Sequence, residues 1–575
     1  MTGYHWDKVV DFVIVGSGAG AVCASLVAKD HGVDALIVEK LGVFGGCTAY
    51  SGGALWIPNN HLMESEGAGD SFERAMQYLN AAIWHDGPGT SQARRQAFLK
   101  HGRKALEYLA SKGMKMRRAK PWPDYHSDLP GAEQGSRVVM AQMFDLNELG
   151  AWKPRLSQSK MMPIRFNMDD LSALLLVKRT WRGKWVALRI GLSFLFNKLA
   201  GRDLRGAGIA WQGRMLQIAL REQLPIWLDT PVLRLIEEEG RVVGVEARRE
   251  GKPCFIRARR GVLLNAGGFT RNTAMRERYG RQPVFAQCTN TPPGDTGEMM
   301  ESAMALGAAT DCMDEGLWNV SSMGPGEKFP ETAADGTPLP LHHHFDISLP
   351  HLILVDQDGR RFCNEAGSYM EVGQRLYQRH TETGRGIPAW AIIESRHRNN
   401  YVWGSVMGKT PQSWLDSGYM KQAATLEDLA RQCGIDAAGL KDTVTRFNAS
   451  CAAGVDEEFK RGAKAFDLAH GDPTVKPNAS LGAIEKAPYY AVAIYPGDVG
   501  TWGGLVTDEH ARVLKTDGAV IEGLYATGTT AAHVFGRTYA GAGSSVGPSL
   551  TFGYIAALHV ANMKENNVAR DQGQD

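Results

Sequence analysis

No CxxC pair occurs among the eight cysteines (Cys23, Cys47, Cys254, Cys288, Cys312, Cys363, Cys433 and Cys451), so iron–sulfur and zinc-ribbon sites lack their usual spacing. A disulfide framework is not needed either, because a chain of 575 residues buries a large core without staples. Charge of one sign is not in excess: 64 Lys+Arg against 62 Asp+Glu leaves +2, and no global field steers the chain toward nucleic acid. No uncharged apolar run approaches the ~18–20 residues of a membrane span. Residues 1–8 are polar and lack the basic and apolar regions of a secretory signal, which reads as an intracellular, cytoplasmic protein. Proline is sparse, at 25, whereas glycine is abundant, at 66, or about 11% against the usual ~7%. Where that glycine sits is the first clue.

Residues 9–15 (VVDFVIV) are apolar and β-branched, as in a strand buried on both faces. Gly16-Ser17-Gly18-Ala19-Gly20-Ala21 follows at once, then a helical stretch over 22–29, then a second apolar strand over 33–38 ending in Glu39 and Lys40. Strand, glycine turn, helix, strand and acid in this order form the dinucleotide fingerprint. Gly16 permits the tight turn, Gly18 lets backbone approach a pyrophosphate, and Ala21 lets helix and strand pack closely. The helix amino end offers N–H groups to phosphate, and Glu39 accepts hydrogen bonds from ribose hydroxyls.

A second glycine-rich run, Phe44-Gly45-Gly46-Cys47-Thr48-Ala49-Tyr50-Ser51-Gly52-Gly53, stands where an NAD-binding unit would continue into helix and strand. Backbone free of side chains suits a flat ring and its ribityl chain, which favours FAD. Residues 240–260 alternate like a hairpin and lead into Asn265-Ala266-Gly267-Gly268. Gly503-Gly504, a strand ending in Gly528, and Gly541-Ala542-Gly543 complete the set near the C-terminus. A helix over 550–562 follows, and its amino end, near Ser549 and Leu550, can meet the pyrimidine edge of a flavin. No second complete GxGxxG unit supports a built-in NAD(P)H site.

The glycine turns lie near both ends of the chain, which predicts a split cofactor domain. The expected fold is α/β: a Rossmann-like FAD-binding domain over 1–315 and 495–565, an inserted α+β catalytic domain over 316–494, and a polar tail over 566–575. Residues 171–202 carry seven Lys/Arg and no acid. Trp181, Trp185, Leu188, Leu192, Leu195 and Leu199 recur at helical spacing with cations at the flanks. This basic amphipathic insertion, about 171–205, reads as a helix lying on an anionic membrane surface, against a core-facing helix or a dimer contact. His342-His343-His344 stands in a Pro-rich stretch without a carboxylate cluster and reads as a solvated loop. No metal site is expected.

These motifs carry a resemblance. GSGAGA with Glu39, GGCTAYSGG, LLNAGGF, the Gly359–Glu365 segment GRRFCNE, TWGGL and TYAGAGSSVGPSLTFGY resemble the fumarate reductase and succinate dehydrogenase flavoproteins. More narrowly, the chain resembles 3-ketosteroid Δ1-dehydrogenases. The resemblance implies FAD and removal of hydrogens from C1 and C2 of a 3-ketosteroid A-ring, at a site between the two domains. It implies that Tyr539 and the Gly543 amide bind the C3 carbonyl, that Tyr369 is the base, and that Tyr125 supports it. Ala540 and Ala542 stand where proline is common in that family, which loosens the loop in principle. The implied cofactor contacts are Gly16, Gly18, Ala19, Gly20, Glu39, Lys40, Gly45, Gly46, Cys47, Ser51, Gly52, Gly53, Val232, Ala266, Gly267, Gly268, Gly504, Gly528, Ser549 and Leu550.

The expected partners are therefore a small hydrophobic 3-ketosteroid, a membrane surface through 171–205, and an external electron acceptor, a quinone if the protein sits on the inner face of a membrane. Two other readings stay open. One is a related enzyme that desaturates at C4 and C5 or reduces an α,β-unsaturated acid. The other is a flavin-containing sterol-binding membrane protein without turnover.

Overall fold

A computed structural model describes residues 4–120, 122–158, 164–324, 340–404 and 406–563. The expected polar tail over 566–575 lies outside the described residues.

The first strand, Lys8–Val15, is buried on both faces from Val10 onward because it lies in mid-sheet. It pairs in parallel with Ala35–Val38 on one side and with the end of Lys252–Leu264 on the other. Ile226–Trp227 and Val520–Ala526 extend this parallel core outward, and Arg241–Arg249 forms an antiparallel hairpin with Lys252–Leu264, as the alternation over 240–260 predicts. The strands of one sheet thus come from residue 8 to residue 526, so this first body draws on both ends of the chain.

The last helix, Val546–Ala561, crosses the first helix, Ala19–Asp30, with backbones in contact. A Cβ on Gly20 would lie 2.4 Å from the Ser549 carbonyl, and one on Gly553 would lie 2.2 Å from the Gly20 carbonyl. Both positions need glycine for that reason alone.

The second body is built on an antiparallel sheet of Leu352–Val355, Ala389–Glu394, Tyr489–Ile494 and Met420–Ala423. Period-two alternation divides its side chains. Ile353, Val355 and Ile392 face helices Leu426–Cys433 and Ala437–Ala453, whereas Leu352, Leu354 and Ile393 join the core shared with the first body. The chain leaves and re-enters the first body through the paired strands Gly316–Trp318 and Asp498–Thr501. A buried ion network braces the turn before helix Tyr369–Thr383: Arg361 meets Glu365 at 2.9 Å and Asp456 at 3.0 Å, and Arg461 meets Glu365 at 3.0 Å.

The amphipathic stretch is two helices rather than one. Leu171–Leu175 is followed by a turn and then by Trp181–Leu199, which Thr180 caps through the Gly183 N–H at 2.9 Å. Gly183 is the point of closest packing, since a Cβ there would meet the Ala173 carbonyl at 2.6 Å. The predicted face does not turn to the core: Trp181 is 84% exposed and Leu199 80%, and Trp185, Leu188, Leu192 and Leu195 are exposed with them. No helix among the described residues is long and apolar enough to cross a membrane.

Candidate active site

A cavity of about 520 Å³ runs from the first glycine turn to a group of tyrosines between the two bodies. At its first end, Gly16 turns with φ of +99°, and a Cβ there would lie 2.1 Å from the Asn265 carbonyl. Gly18 begins helix Ala19–Asp30 at the cavity wall without a side-chain cap of its own, and the helix N–H groups of Ala19 and Ala21 reach Thr48 Oγ1 and Asn265 Oδ1, both at 3.3 Å. Glu39 is buried behind it, accepting the Ser17 hydroxyl at 2.6 Å and the Leu41 N–H at 2.9 Å. Burial holds its carboxyl above the usual carboxylate range.

Asn265, which the motif reading passed over, ties three elements together. Its Oδ1 accepts the Ala21 N–H at 3.3 Å, and its amide donates to Ser549 Oγ at 3.1 Å. Asp295, also passed over, accepts the Gly268 N–H at 2.5 Å and the Thr270 hydroxyl at 2.5 Å, with Cys47 Sγ 3.8 Å away. The uncapped amino end of Val546–Ala561 reaches the same cavity through Val546 and Ser549. Two helix amino ends, a buried ribose-type acceptor and side-chain-free glycine turns fit an extended dinucleotide. The donor set therefore suits FAD, which the Gly16–Gly18 turn, Glu39 and the Gly46–Gly53 run would hold.

At the other end, Tyr125, Tyr369 and Tyr539 form a triangle with ring centroids 5.2 to 5.9 Å apart. Tyr125 is fixed by its N–H donating to the Ala540 carbonyl at 3.1 Å and by Phe466, 4.4 Å away ring to ring. Tyr369 opens helix Tyr369–Thr383, so a negative charge on its oxygen would gain from the helix end. Burial and the neighbouring Tyr539 and Tyr125 raise its phenol well above the ordinary tyrosine value. Burial raises Tyr125 well above that value too, and raises Tyr539, where hydroxyl contact with Tyr369 works against it.

Gly543 N–H points at Tyr539 Oη, 3.4 Å away, so one acceptor oxygen placed beside them can receive both donors. The loop that carries them is pinned without proline. Gly543 has φ of +92°, and a Cβ there would lie 2.3 Å from the Ala54 carbonyl. Trp56 N–H donates to the Gly543 carbonyl at 3.2 Å, Tyr78 Oη to the Ala540 carbonyl at 2.6 Å, and Ser544 Oγ to the Gly541 carbonyl at 2.8 Å. Packing against strand Ala54–Trp56 thus supplies the rigidity that Ala540 and Ala542 do not.

The expectation of a solvated loop at His342–His344 does not hold. His343 is fully buried between Asp346 at 2.9 Å and Ser322 at 2.7 Å. His342 and His344 both line the cavity, and the His344 ring lies 4.5 Å from Tyr369. Burial holds His344 well below its ordinary value, so it is neutral near pH 7.

Of the cofactor contacts named above, Gly16, Gly18, Glu39, Lys40, Gly46, Cys47, Ser51, Gly52, Gly53, Val232, Ala266, Gly267, Gly528 and Ser549 line the cavity. Lys40 also meets Glu298 at 2.6 Å. Ala19, Gly20, Gly45, Gly268, Gly504 and Leu550 do not line it. Gly20 and Leu550 belong to the crossing of the first and last helices, Gly45 N–H donates to Ser17 Oγ at 2.8 Å, Gly268 is held by Asp295, and Gly504 pairs with Asp311.

Comparison with known proteins gives a consistent placement. The family model described as an FAD binding domain matches residues 11–546. A 3-oxosteroid 1-dehydrogenase of Mycobacterium tuberculosis is 37% identical, over 97% of this chain and 99% of the relative. A 4-oxocyclohex-2-ene-1-carboxylate 5-dehydrogenase of Sinomonas cyclohexanicum is 32% identical, over 98% of this chain and 95% of the relative. The crystal structure of 3-ketosteroid Δ1-dehydrogenase from Sterolibacterium denitrificans, in complex with 1,4-androstadiene-3,17-dione, superposes with a TM-score of 0.89 at 37% identity, covering 97% of this chain and all of that one. With the dinucleotide turn, the tyrosine triangle and the paired donors in place, the chain belongs to the FAD-binding flavoprotein family that includes the 3-oxosteroid 1-dehydrogenases.

Proposed function

We propose that the protein is an FAD-dependent 3-ketosteroid Δ1-dehydrogenase. The observation that carries this reading is the adjacency of Tyr539 Oη and Gly543 N–H, two donors 3.4 Å apart beside a second buried tyrosine. A saturated C–C bond yields a hydride only if a neighbouring position is acidified. Tyr539 O–H and Gly543 N–H stabilise negative charge developing on the C3 oxygen, and losing one such donor typically costs ~10²–10³ in rate. Tyr369, as its phenolate, takes the C2 proton and becomes the neutral phenol, and the helix end lowers the cost of that phenolate. Tyr125 orients Tyr369. FAD, when bound, supplies the acceptor for the hydride leaving C1.

A carboxylate substrate is disfavoured. Among the described residues lining the cavity Lys40 is the only Lys or Arg, and it is engaged by Glu298 and Thr296. Anaerobic mixing with a 4-ene-3-ketosteroid tests the reading: the visible flavin band bleaches and the product is the 1,4-diene by NMR. An unchanged band defeats it, and a product altered at C4 and C5 defeats the regiochemistry.

The face of helix Trp181–Leu199 supports a lipid surface as a second partner. Its exposed apolar stripe is flanked by Arg182, Lys198 and Arg202, and the preceding helix puts Leu171 and Leu175 into the cavity wall. An enzyme lying on a bilayer draws an apolar steroid directly from it and reaches a lipid-soluble acceptor of the quinone class. Vesicles containing anionic lipid should co-sediment the wild type, and Leu188→Asp with Leu195→Asp should remove binding while leaving turnover of a dispersed steroid intact. Equal sedimentation of both proteins would refute the assignment.

A further inference from the structure

We infer that Asn319 and His342 form a polar subsite in the substrate chamber that receives a hydroxyl group of the ketosteroid, away from the ring that enolises. The inference rests on the ketosteroid reading above and adds to it the class of substituent preferred.

Both side chains line the cavity. His342 sits on a two-stranded ribbon, Ser321–Ser322 with Leu341–His342, and Asn319 stands two residues before Ser321, whereas the groups that fit the dinucleotide come from the glycine turns near the chain's first strand. Ser321 Oγ donates to the Asn319 carbonyl at 3.0 Å, which uses its only hydrogen. His342 Nδ1 lies 2.9 Å from Ser321 Oγ and 3.2 Å from the same carbonyl, so Nδ1 carries the ring proton and donates. Burial holds the ring neutral, with its pKa pushed down to about 4. Nε2 is therefore a bare acceptor, and it is buried without a partner among the described residues, as is Asn319 Oδ1.

A buried acceptor left unpaired is costly, and two in the wall of one cavity call for a donor. A ketone oxygen can take the Asn319 amide but leaves Nε2 bare, whereas a hydroxyl donates its one hydrogen to Nε2 and still accepts from the Asn319 amide. A carboxylate is disfavoured by Asp346, which lines the same wall while accepting from His343 and the Gly404 N–H at 2.8 Å. Leu341, Phe345 and Val402 add apolar surface to the same cavity.

The position is remote from the reacting carbons. No ring contact or hydrogen bond joins Asn319 or His342 to the tyrosine triangle among the described residues, whereas His344 touches Tyr369. His342 lies two residues back along the chain, at the end of the ribbon strand, whereas His344 stands in the turn that follows.

The test uses the holoenzyme and 1,4-diene products that carry either a hydroxyl or a ketone at the same carbon, C11 or C17. Binding is read from the shift of the flavin band. At one of the two carbons the alcohol should bind at least tenfold tighter than the ketone, and His342→Phe and Asn319→Leu should each bring that ratio below twofold with flavin content unchanged. A wild-type ratio under twofold at both carbons overturns the inference, as does a ratio that survives both variants or a loss of flavin from both. Turnover of a 4-ene-3-ketosteroid with no other oxygen is measured in parallel. If that compound is not desaturated, the dehydrogenase reading fails; if it is, only the subsite stands or falls with the ratio.

Discussion

Replacing Tyr369 by Phe removes one oxygen and leaves the ring in place. The ring contacts with Tyr125, Tyr539 and His344, at 5.9, 5.2 and 4.5 Å, do not depend on the hydroxyl, so the variant should fold and bind FAD. What is lost is the group that takes the C2 proton. A positioned general base contributes about 10²–10⁴ in rate, or roughly 3–5.5 kcal/mol at 1.36 kcal/mol per decade. The phenol of Tyr369 is held well above the ordinary tyrosine value, so its ionised fraction grows as pH rises toward that value. In anaerobic stopped-flow the bleaching rate of the wild type with saturating steroid should therefore climb between pH 7 and 9. The Phe variant should be slower by at least 10² at pH 8, and its rate should be flat with pH. A variant bleaching within threefold of the wild type, or one that keeps the same climb, would refute the assignment of Tyr369 as base.

Gly543→Ala should lower the same bleaching rate by at least about 10² by displacing the amide, because φ of +92° and the Ala54 carbonyl at 2.3 Å leave no room for Cβ. Asn265→Leu strands the Ala21 N–H and Ser549 Oγ at about 1–3 kcal/mol each, and free FAD should appear by fluorescence at protein concentrations where the wild type retains it. Glu365→Gln weakens a fully buried arginine network, and thermal unfolding should show a loss of about 3–5 kcal/mol. Stability should also fall with acid. Burial holds His397 down to about 4, so the unfolded chain takes up a proton that the folded one refuses between about pH 6.5 and 4. Urea midpoints should drop across that window, and His397→Phe should flatten part of the drop.

The parts of the site legible in the chain were those with local grammar. The turn at Gly16–Gly18 and the acid at Glu39 lie within one strand–helix–strand unit, and helix Trp181–Leu199 follows from apolar spacing alone. Its exposure, rather than its existence, needed the structure. Asn265 and Asp295 were opaque because their partners, Ser549 and Gly268, are distant in sequence and no spacing rule joins them. His342 and His344 misled for a related reason. A polar, Pro-rich neighbourhood favours solvent, and only the pairing of Leu341–His342 with Ser321–Ser322 carries these rings into the chamber. Gly20 carried the fingerprint of a phosphate turn, yet its backbone faces Ser549 and Gly553. The break at 176–180 ends in Lys178, Arg179 and Thr180, ahead of Trp181 where the apolar recurrence begins.

The crossing of the first and last helices orders events during synthesis. The first strand emerges early but waits for residues 262–264, then 524–526, before its sheet is complete, and Gly20 waits longer still for Ser549 and Gly553. A nascent chain released short of residue 549 has made the phosphate turn but not the wall behind it. Flavin loading is thus a report on whether the ribosome has finished, and a truncated copy should emerge colourless.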